Sequence, residues 1–238
     1  MTEMCGISQE MVDEGRRIKG LDEEFDQQVE TLIRSGVRMH VGPTAMGEQA
    51  FRDMLNELKD PLRSVEFAPG DECPRFLIVI PNGLVSLQDQ CHRMSWDGRY
   101  VVMNMREDNL RVLSNGRPHC LPYLAVQIDM GCDYRPLSLE DYSAYIRGTG
   151  QSSFYAEELL ALLRCKPPAM LEGKFFCANM RHKPDKRGVY LRLGKDNFEL
   201  NTEDKDIVGQ DHRFPSCMKR LYITRKPICL NGSPASFD

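Results

Sequence analysis

The chain has 238 residues, of which 41% are hydrophobic and 28% charged, and its formal net charge is −4. This composition is typical of a folded globular protein and excludes the collagen-like, fibrous and disordered classes. Apolar runs such as residues 76–80 are much shorter than the roughly 20 residues that a membrane-spanning helix needs. The sequence therefore predicts no membrane partner.

The first 60 residues are predicted to form helices. A short polar helix is expected before residue 20, and an amphipathic helix follows it. One face of that second helix carries Phe25, Val29, Leu32 and Ile33. A third helix with the same periodicity is expected to end before Pro61, because the residue that precedes a proline avoids helical dihedral angles.

From residue 75 the pattern changes to short apolar or alternating runs. An Asp97-Gly98 turn precedes one of the predicted strands. Strands are predicted at 75–80, 100–105, 123–128, 174–180, 188–193 and 197–200. Two helices are expected between the third and fourth strands, one begun by Ser138 and the other capped by Ser152 or Ser153.

This order predicts an α+β fold, in which N-terminal helices pack on a mixed, largely antiparallel sheet and two further helices are inserted mid-chain. We predict a lead-in segment at 1–20, a single domain at 21–226 and a loose tail at 227–238. Within the strand at 188–193, Val189, Leu191 and Leu193 alternate with Tyr190 and Arg192. One face is therefore expected to be buried and the other wet.

The cysteines and the amino-terminal segment bear on the cellular compartment. The nine cysteines are scattered and form no CxxC pair. The first residues are acidic and lack the basic and apolar regions of a signal peptide. These features predict reduced thiols and a cytoplasmic location.

The charge distribution and the missing motifs limit the chemistry. The first 60 residues are acidic and the segment after residue 180 is basic. The isoelectric point of about 5.8 lies far below the value above about 9 of a typical nucleic-acid-binding domain, so nucleic acid is possible but not favoured. The GxGxxG, P-loop, GxSxG and HExxH motifs are absent.

The loop 147–153, RGTGQSS, runs into a predicted helix and resembles a simple anion site. Backbone N–H groups at a helix start attract anions, and Arg147 could add a charged hydrogen bond. Thr149 and Ser152 could bind the same ligand. The alternative is an ordinary turn with a glycine stop and a serine cap, which uses the same residue types.

A zinc site is the second candidate. Its ligands would be Cys177, His182, His212 and Cys217, if the two segments met in space. The spacing matches no strong zinc signature, and Cys177 lies in a predicted strand. We therefore expect no bound metal and no cofactor.

The turn RHKPDKR at 181–187 is the most distinctive local feature. Its cations are Arg181, Lys183, Lys186 and Arg187. Tyr190 and Arg192 are expected on the wet face of the following strand, where they could stack on or pair with a ligand. The alternative is a solvated turn whose lysines protect a sheet edge from pairing.

The order of four segments resembles an uncharacterised family of bacterial, mostly actinobacterial, proteins with a domain of unknown function. These segments are FDQQVETLIRSG, PYLAVQID, GTGQSSFYAEELLALL and CANMRHKPDKRGVYLRL. The resemblance covers about residues 21–221 and implies a single cytoplasmic unit. It implies no activity.

The sequence thus predicts a binding or interaction protein whose basic β-hairpin contacts a protein or an anionic ligand. The alternative is an enzyme, either a hydrolase or a transferase, that acts on an anionic substrate near residues 147–153. A pocket that collects arginine, histidine and carboxylate groups would favour the enzyme.

Overall fold

The computed structural model describes residues 9–41, 45–67, 74–113, 120–131, 137–146, 148–166, 173–204, 206–209 and 211–223, with side chains from residue 17 onwards. The described helices are α1 (Gln9–Arg34), α2 (Glu48–Asn56), α3 (Lys59–Arg63), α4 (Leu87–His92), α5 (Leu139–Ile146) and α6 (Ala156–Cys165). Short 3₁₀ turns occupy Val37–His40 and Glu107–Asn109.

The described strands form two sheets. In the first half of the chain they are β1 (Phe76–Val79), β2 (Ser95–Trp96), β3 (Arg99–Met103), β4 (Leu110–Val112) and β5 (Tyr123–Asp129). In the second half they are β6 (Ser152–Ser153), β7 (Lys174–His182), β8 (Gly188–Leu193), β9 (Phe198–Glu203), β10 (His212–Arg213) and β11 (Ser216–Tyr222).

The smaller sheet has the order β1-β5-β11-β6 and is antiparallel throughout. The larger has the order β10-β7-β8-β9-β3-β2, with β4 also paired to β7. Its β7–β8–β9 meander is antiparallel, while β3–β9 and β10–β7 are parallel. The α+β fold with N-terminal helices and a largely antiparallel sheet is confirmed.

Helix α6 lies between the two sheets and is buried on every side. One core cluster joins its leucines to Leu77 and Val79 of β1 and to Val189 and Leu191 of β8. The alternate residues of β1, such as Phe76, belong to a second cluster with the N-terminal helices. A third cluster packs α5 on the outer face of the larger sheet. Apolar clusters therefore pack on both faces of the smaller sheet, whereas α5 covers the outer face of the larger sheet around β7 and β8 and leaves Tyr100 and Val102 of β3 exposed.

Several local predictions are wrong. The short helix predicted before residue 20 and the amphipathic helix predicted after it form one continuous helix, α1. Pro61 lies in the first turn of α3, where its missing N–H is tolerated. Ser152 and Ser153 cap no helix: they form β6 and pair with β11. The predicted tail at 227–238 lies outside the described residues.

Candidate anion-binding site

A cavity of about 660 Å³ lies beside the β7–β8 turn, and we call it the hairpin cavity. Its walls come from β7, from the adjoining turn, from β4, from α5 and from Ser153 of β6. The two regions that the sequence singled out, the basic turn and the 147–153 loop, therefore meet at one concave surface. Such cavities are the usual places where proteins bind small molecules.

A bulge in β7 shapes one wall of the cavity. Cys177 pairs with Val189 and Arg181 pairs with Gly188, so the intervening residues 178–180 have no partner in β8. Arg181 compensates for this break, because its Nη1 donates to the carbonyls of Ala178 and Met180, each at 2.9 Å. Bulges of this kind aim side chains at functional sites.

The guanidinium of Arg181 is buried, and Nη2 donates to Ser143 Oγ at 3.3 Å. Burial lowers the pKa of Arg181, and the nearby carboxylate of Glu140 offsets only part of this effect. Within the described part of the chain, Arg181 forms no ion pair. A buried cation that hydrogen-bonds only neutral oxygens can still attract an anion.

The turn that follows β7 is held by Asp185. Its Oδ1 lies 2.8 Å from His182 Nδ1 and accepts a hydrogen bond from the Arg187 backbone N–H at 3.2 Å. Desolvation acts to raise the pKa of Asp185, but these two hydrogen bonds lower it below its usual value. Lys186 has a positive φ of 59°, and its N–H donates to His182 O at 2.8 Å. These hydrogen bonds hold the backbone of the turn at the point where Lys186 borders the cavity.

Arg111 adds a cation that the sequence did not indicate. In the antiparallel pairing of β4 with β7, Arg111 lies directly opposite Arg181, and both line the cavity. Like charges at directly opposed positions destabilise a sheet unless something compensates them. Neither arginine has an ion-pair partner among the described carboxylates. The charged residues of the described lining are Arg111, Glu140, Arg181, Lys183 and Lys186, so the cavity is net cationic.

The Ser153 side of the cavity is fixed by two side chains that donate to one carbonyl. Asn179 Nδ2 lies 2.6 Å and Arg220 Nη2 lies 2.9 Å from Ser153 O. Asn179 stands in the bulge, whereas Arg220 comes from β11 of the other sheet. The wall is therefore tied to both sheets.

Thr149 and Ser152, two of the loop residues predicted from the sequence, do not line the hairpin cavity. Thr149 Oγ1 donates to Ile146 O at 2.9 Å and accepts from Gln151 N at 3.3 Å, so it stabilises the turn after α5. Ser152 pairs with Cys217 in the sheet. Arg147 lies outside the described residues. The loop contributes Ser153, together with Ile146 at the end of α5.

The basic turn divides into two groups. Arg181, Lys183 and Lys186 line the cavity, and Lys183 Nζ also donates to Asp108 O at 2.6 Å. Arg187 does not line the cavity; its Nε lies 3.3 Å from Asp185 Oδ2. Its proposed ligand contact is thus replaced by a pair within the turn.

The prediction that Tyr190 and Arg192 project from a wet face is wrong for Tyr190. Helix α5 covers that face, and Tyr190 is 4% exposed against Phe176, with 5.3 Å between ring centroids. Arg192 is half-buried, and its Nη2 lies 3.0 Å from Glu199 Oε2. Neither residue lines the hairpin cavity.

The four residues weighed as zinc ligands lie in different surroundings. Cys177 and Cys217 are buried in the core around α6, His182 contacts Asp185, and His212 packs on Phe176 with 4.7 Å between ring centroids. Among the residues that the structure describes, no three histidine, cysteine or acidic side chains are grouped closely enough to hold a metal ion.

Sequence reasoning missed Arg111, Ser143 and Asn179. Strand β4 has only three residues and shows no periodic pattern. Asn179 lies in the bulge, where the alternation of the strand breaks. The signal that could have indicated the bulge is that Asn179 interrupts an otherwise apolar run, FFCANM.

Comparisons with protein-family models, with curated proteins and with solved structures found no match to this chain. No helix of the described ranges has both the length and the apolar composition that a membrane crossing needs.

Proposed function

We propose that this protein binds a small anionic ligand in the hairpin cavity. The observation that carries this proposal is the Arg111–Arg181 pair: two cations face each other across a sheet edge, both line a cavity, and neither is neutralised by a described carboxylate. A multiply charged anion between them would remove the repulsion and accept hydrogen bonds from both guanidinium groups.

The shape of the site favours a small molecule over an extended surface of another macromolecule. The cations lie in a cavity whose apolar lining includes Leu113, Ile146 and Ala178, rather than on an open face. An anion with a compact body therefore fits this lining better than a polymer backbone does.

The scattered cysteines support our further proposal that the protein is cytoplasmic.

Isothermal titration calorimetry with pyrophosphate and citrate, at low and high salt, tests the proposal. We expect saturable binding of at least one of these anions, weakened by salt. Arg111→Ser and Lys186→Ser should each reduce the affinity about tenfold, because each removes a charged hydrogen-bond donor. Neither side chain has a hydrogen-bond partner among the residues that the structure describes, so both variants should keep the stability of the parent protein.

Arg187→Ser is the matched control. It removes a cation from the same turn, but one that lies outside the cavity and pairs with Asp185. The control should bind like the parent. Equal losses for Arg187→Ser and Lys186→Ser would mean that the net charge of the turn, and not the cavity, attracts the anion, and would contradict the proposal.

One observation favours an enzyme as the second candidate. His182 lines the cavity, and the contact of its Nδ1 with Asp185 leaves Nε2 as the nitrogen available for proton transfer. An anionic ester bound by the arginines would then be hydrolysed with His182 as general base. Release of p-nitrophenolate from p-nitrophenyl phosphate tests this idea. Loss of activity in His182→Gln, while citrate and pyrophosphate still bind, would support the enzyme hypothesis. If the parent protein releases no p-nitrophenolate, the hypothesis is refuted for phosphate monoesters.

A further inference from the structure

A second cationic cavity, of about 350 Å³, lies at the other end of α6, and we call it the arginine cavity. It is enclosed by the end of α1, by the segment from Arg93 to β3, by β9 and by the end of α6. Its lining shares no residue with that of the hairpin cavity. Among the described residues that line it are four arginines and no carboxylate: Arg34, Arg93, Arg99 and Arg164.

Arg164 is the central observation. Its Nε and Nη2 atoms are buried and have no hydrogen-bond partner in the described part of the chain. Burial lowers the pKa of Arg164 to about 10, and no carboxylate offsets the loss of solvent. Arg164 is partly buried as a whole, but two buried guanidinium nitrogens without a hydrogen-bond partner are costly, so their retention needs a compensating contact.

The other three arginines also lack a direct counter-ion among the described residues. Arg93 Nε donates to His40 Nε2 at 3.1 Å, and His40 Nδ1 in turn lies 3.2 Å from Asp89, so the carboxylate reaches Arg93 only through the imidazole. Arg34 is near Glu30, but that carboxylate lies 2.6 Å from Arg52 instead. The cavity therefore holds several guanidinium donors for one anion.

The lining of the arginine cavity also includes the aromatic rings of Trp96 and Phe198. Trp96 packs on Phe198 with 6.4 Å between ring centroids, and the guanidinium of Arg99 lies 5.9 Å from the Trp96 ring centroid. Trp96 is only partly buried. A partly open indole beside one guanidinium group is a surface on which a planar ring packs well.

We propose that the arginine cavity binds a phosphate ester that carries a planar apolar group, the chemistry of a nucleoside monophosphate. The phosphate would accept hydrogen bonds from Arg164 and from the arginines around it, in the bidentate geometry that guanidinium groups favour. The planar group would pack against Trp96. This second site is independent of the proposed function of the hairpin cavity.

The single tryptophan of the chain makes the test direct, because Trp96 lies in the cavity. Adenosine monophosphate, inorganic phosphate and adenosine are titrated separately while Trp96 fluorescence is excited at the red edge of its absorption. We expect a saturable change with the nucleotide, at a Kd about tenfold or more below those of the two fragments. No response to the nucleotide would overturn the proposal. Equal affinity for phosphate would overturn the part that concerns the planar group.

Two variants separate ligand binding from folding. Arg34→Ser changes an exposed side chain and should weaken nucleotide binding about tenfold. Arg164→Met should weaken it at least as much while the urea midpoint of the ligand-free protein stays equal or rises, because an unpartnered buried charge is removed. A lower midpoint combined with unchanged nucleotide binding would show a structural role for Arg164 and overturn the proposal.

Arg111→Ser is the control from the other cavity. It should leave the nucleotide response of Trp96 unchanged, although it should weaken pyrophosphate or citrate binding. Failure of the hairpin-cavity proposal would therefore not affect this result. A nucleotide response that disappears in Arg111→Ser but persists in Arg34→Ser would place the nucleotide in the hairpin cavity and overturn the inference.

Discussion

The guanidinium of Arg220 contacts both carboxylate oxygens of Glu158, with Nε 2.6 Å from Oε1 and Nη2 2.8 Å from Oε2. Glu158 is completely buried, and it also accepts hydrogen bonds from the Tyr123 hydroxyl and from the Tyr155 backbone N–H. Burial alone would lower the pKa of Arg220, but the carboxylate raises it instead. The pair thus joins α6 to β11, and Arg220 also donates to the carbonyl of Ser153, which lines the hairpin cavity.

Removal of Arg220 should therefore destabilise the protein strongly. Arg220→Met leaves the Glu158 carboxylate buried without its cation, and we expect a loss of about 3–5 kcal/mol in the free energy of unfolding. The double variant Arg220→Met with Glu158→Gln should lose less, because it leaves no unpaired charge. Urea denaturation measures both. A double variant that is less stable than Arg220→Met would contradict the explanation from the unpaired carboxylate.

Gly131 should tolerate no side chain. Its φ is +67°, and an added Cβ would lie 2.6 Å from the backbone nitrogen of Phe214. Gly131→Ala should therefore cost more than the roughly 1–2 kcal/mol of a left-handed alanine, since the backbone of Phe214 must also shift. Gly36→Ala is the control, because Gly36 has a φ of +73° and nothing within 4 Å of the added atom. Similar urea midpoints for the two variants would show that the close contact relaxes freely.

His212 should make the protein less stable in mild acid. Burial lowers the pKa of His212, although Glu203 and Asp211 partly offset this effect. As the pH falls through about 6.5, the unfolded chain takes up a proton that the folded protein resists, so the free energy of unfolding decreases. The urea midpoint followed from neutral to mildly acidic pH measures this slope.

The control for this pH dependence is His212→Gln, which removes the titrating group. Above the unfolded-state pKa of histidine, the urea midpoints of parent and variant should differ by a constant amount. Below that pKa, the midpoint of the parent should fall more steeply than that of the variant. Identical slopes for the two proteins would show that another group causes the acid sensitivity.

The cysteines should differ widely in their reactivity toward alkylating agents. Burial raises the pKa of Cys91 to about 12 and keeps that of Cys217 well above its usual value. Cys120 is exposed. Alkylation of the native protein, read by peptide mass spectrometry, should label Cys120 long before Cys91 or Cys217, because the thiolate is the reactive form.

The same reagent tests the prediction that the protein has no structural disulfide. After unfolding without a reductant, all nine cysteines should be labelled. Two or more cysteines that remain unlabelled in fresh preparations would reveal a disulfide.

Local sequence patterns predicted the elements whose stabilising contacts are close in sequence. The meander β7–β8–β9 is a series of neighbouring strands, and Ser138 Oγ accepts from Asp141 N at 3.1 Å, as the capping pattern indicated. The Asp97-Gly98 turn precedes β3, as predicted, and the structure adds that it joins β3 to the short strand β2. These features depend on turn chemistry and on periodicity, and both are visible within a short window.

The remaining features depend on partners that are distant in the chain. Ser152 and Ser153 form a strand because Ser216 and Cys217 pair with them. Tyr190 is buried because α5, far from it in sequence, covers its face of the sheet. Arg220 was one of several basic residues near the end of the chain, and its contacts with Glu158 and with Ser153 O make it structural. No periodicity reveals such long-range contacts.

The short length of strand β4 affects how fast an anion can enter and leave the hairpin cavity. Its ladder with β7 covers only Leu110, Arg111 and Val112, and Leu113 adds one bond to Asn179. Short edge segments of this kind open by local unfolding far more often than the sheet as a whole. We expect the amide protons of β4 to exchange with solvent faster than those of β8. Each opening would carry Arg111 away from Arg181. The residence time of a bound anion would therefore be set by the rate at which β4 unfolds locally.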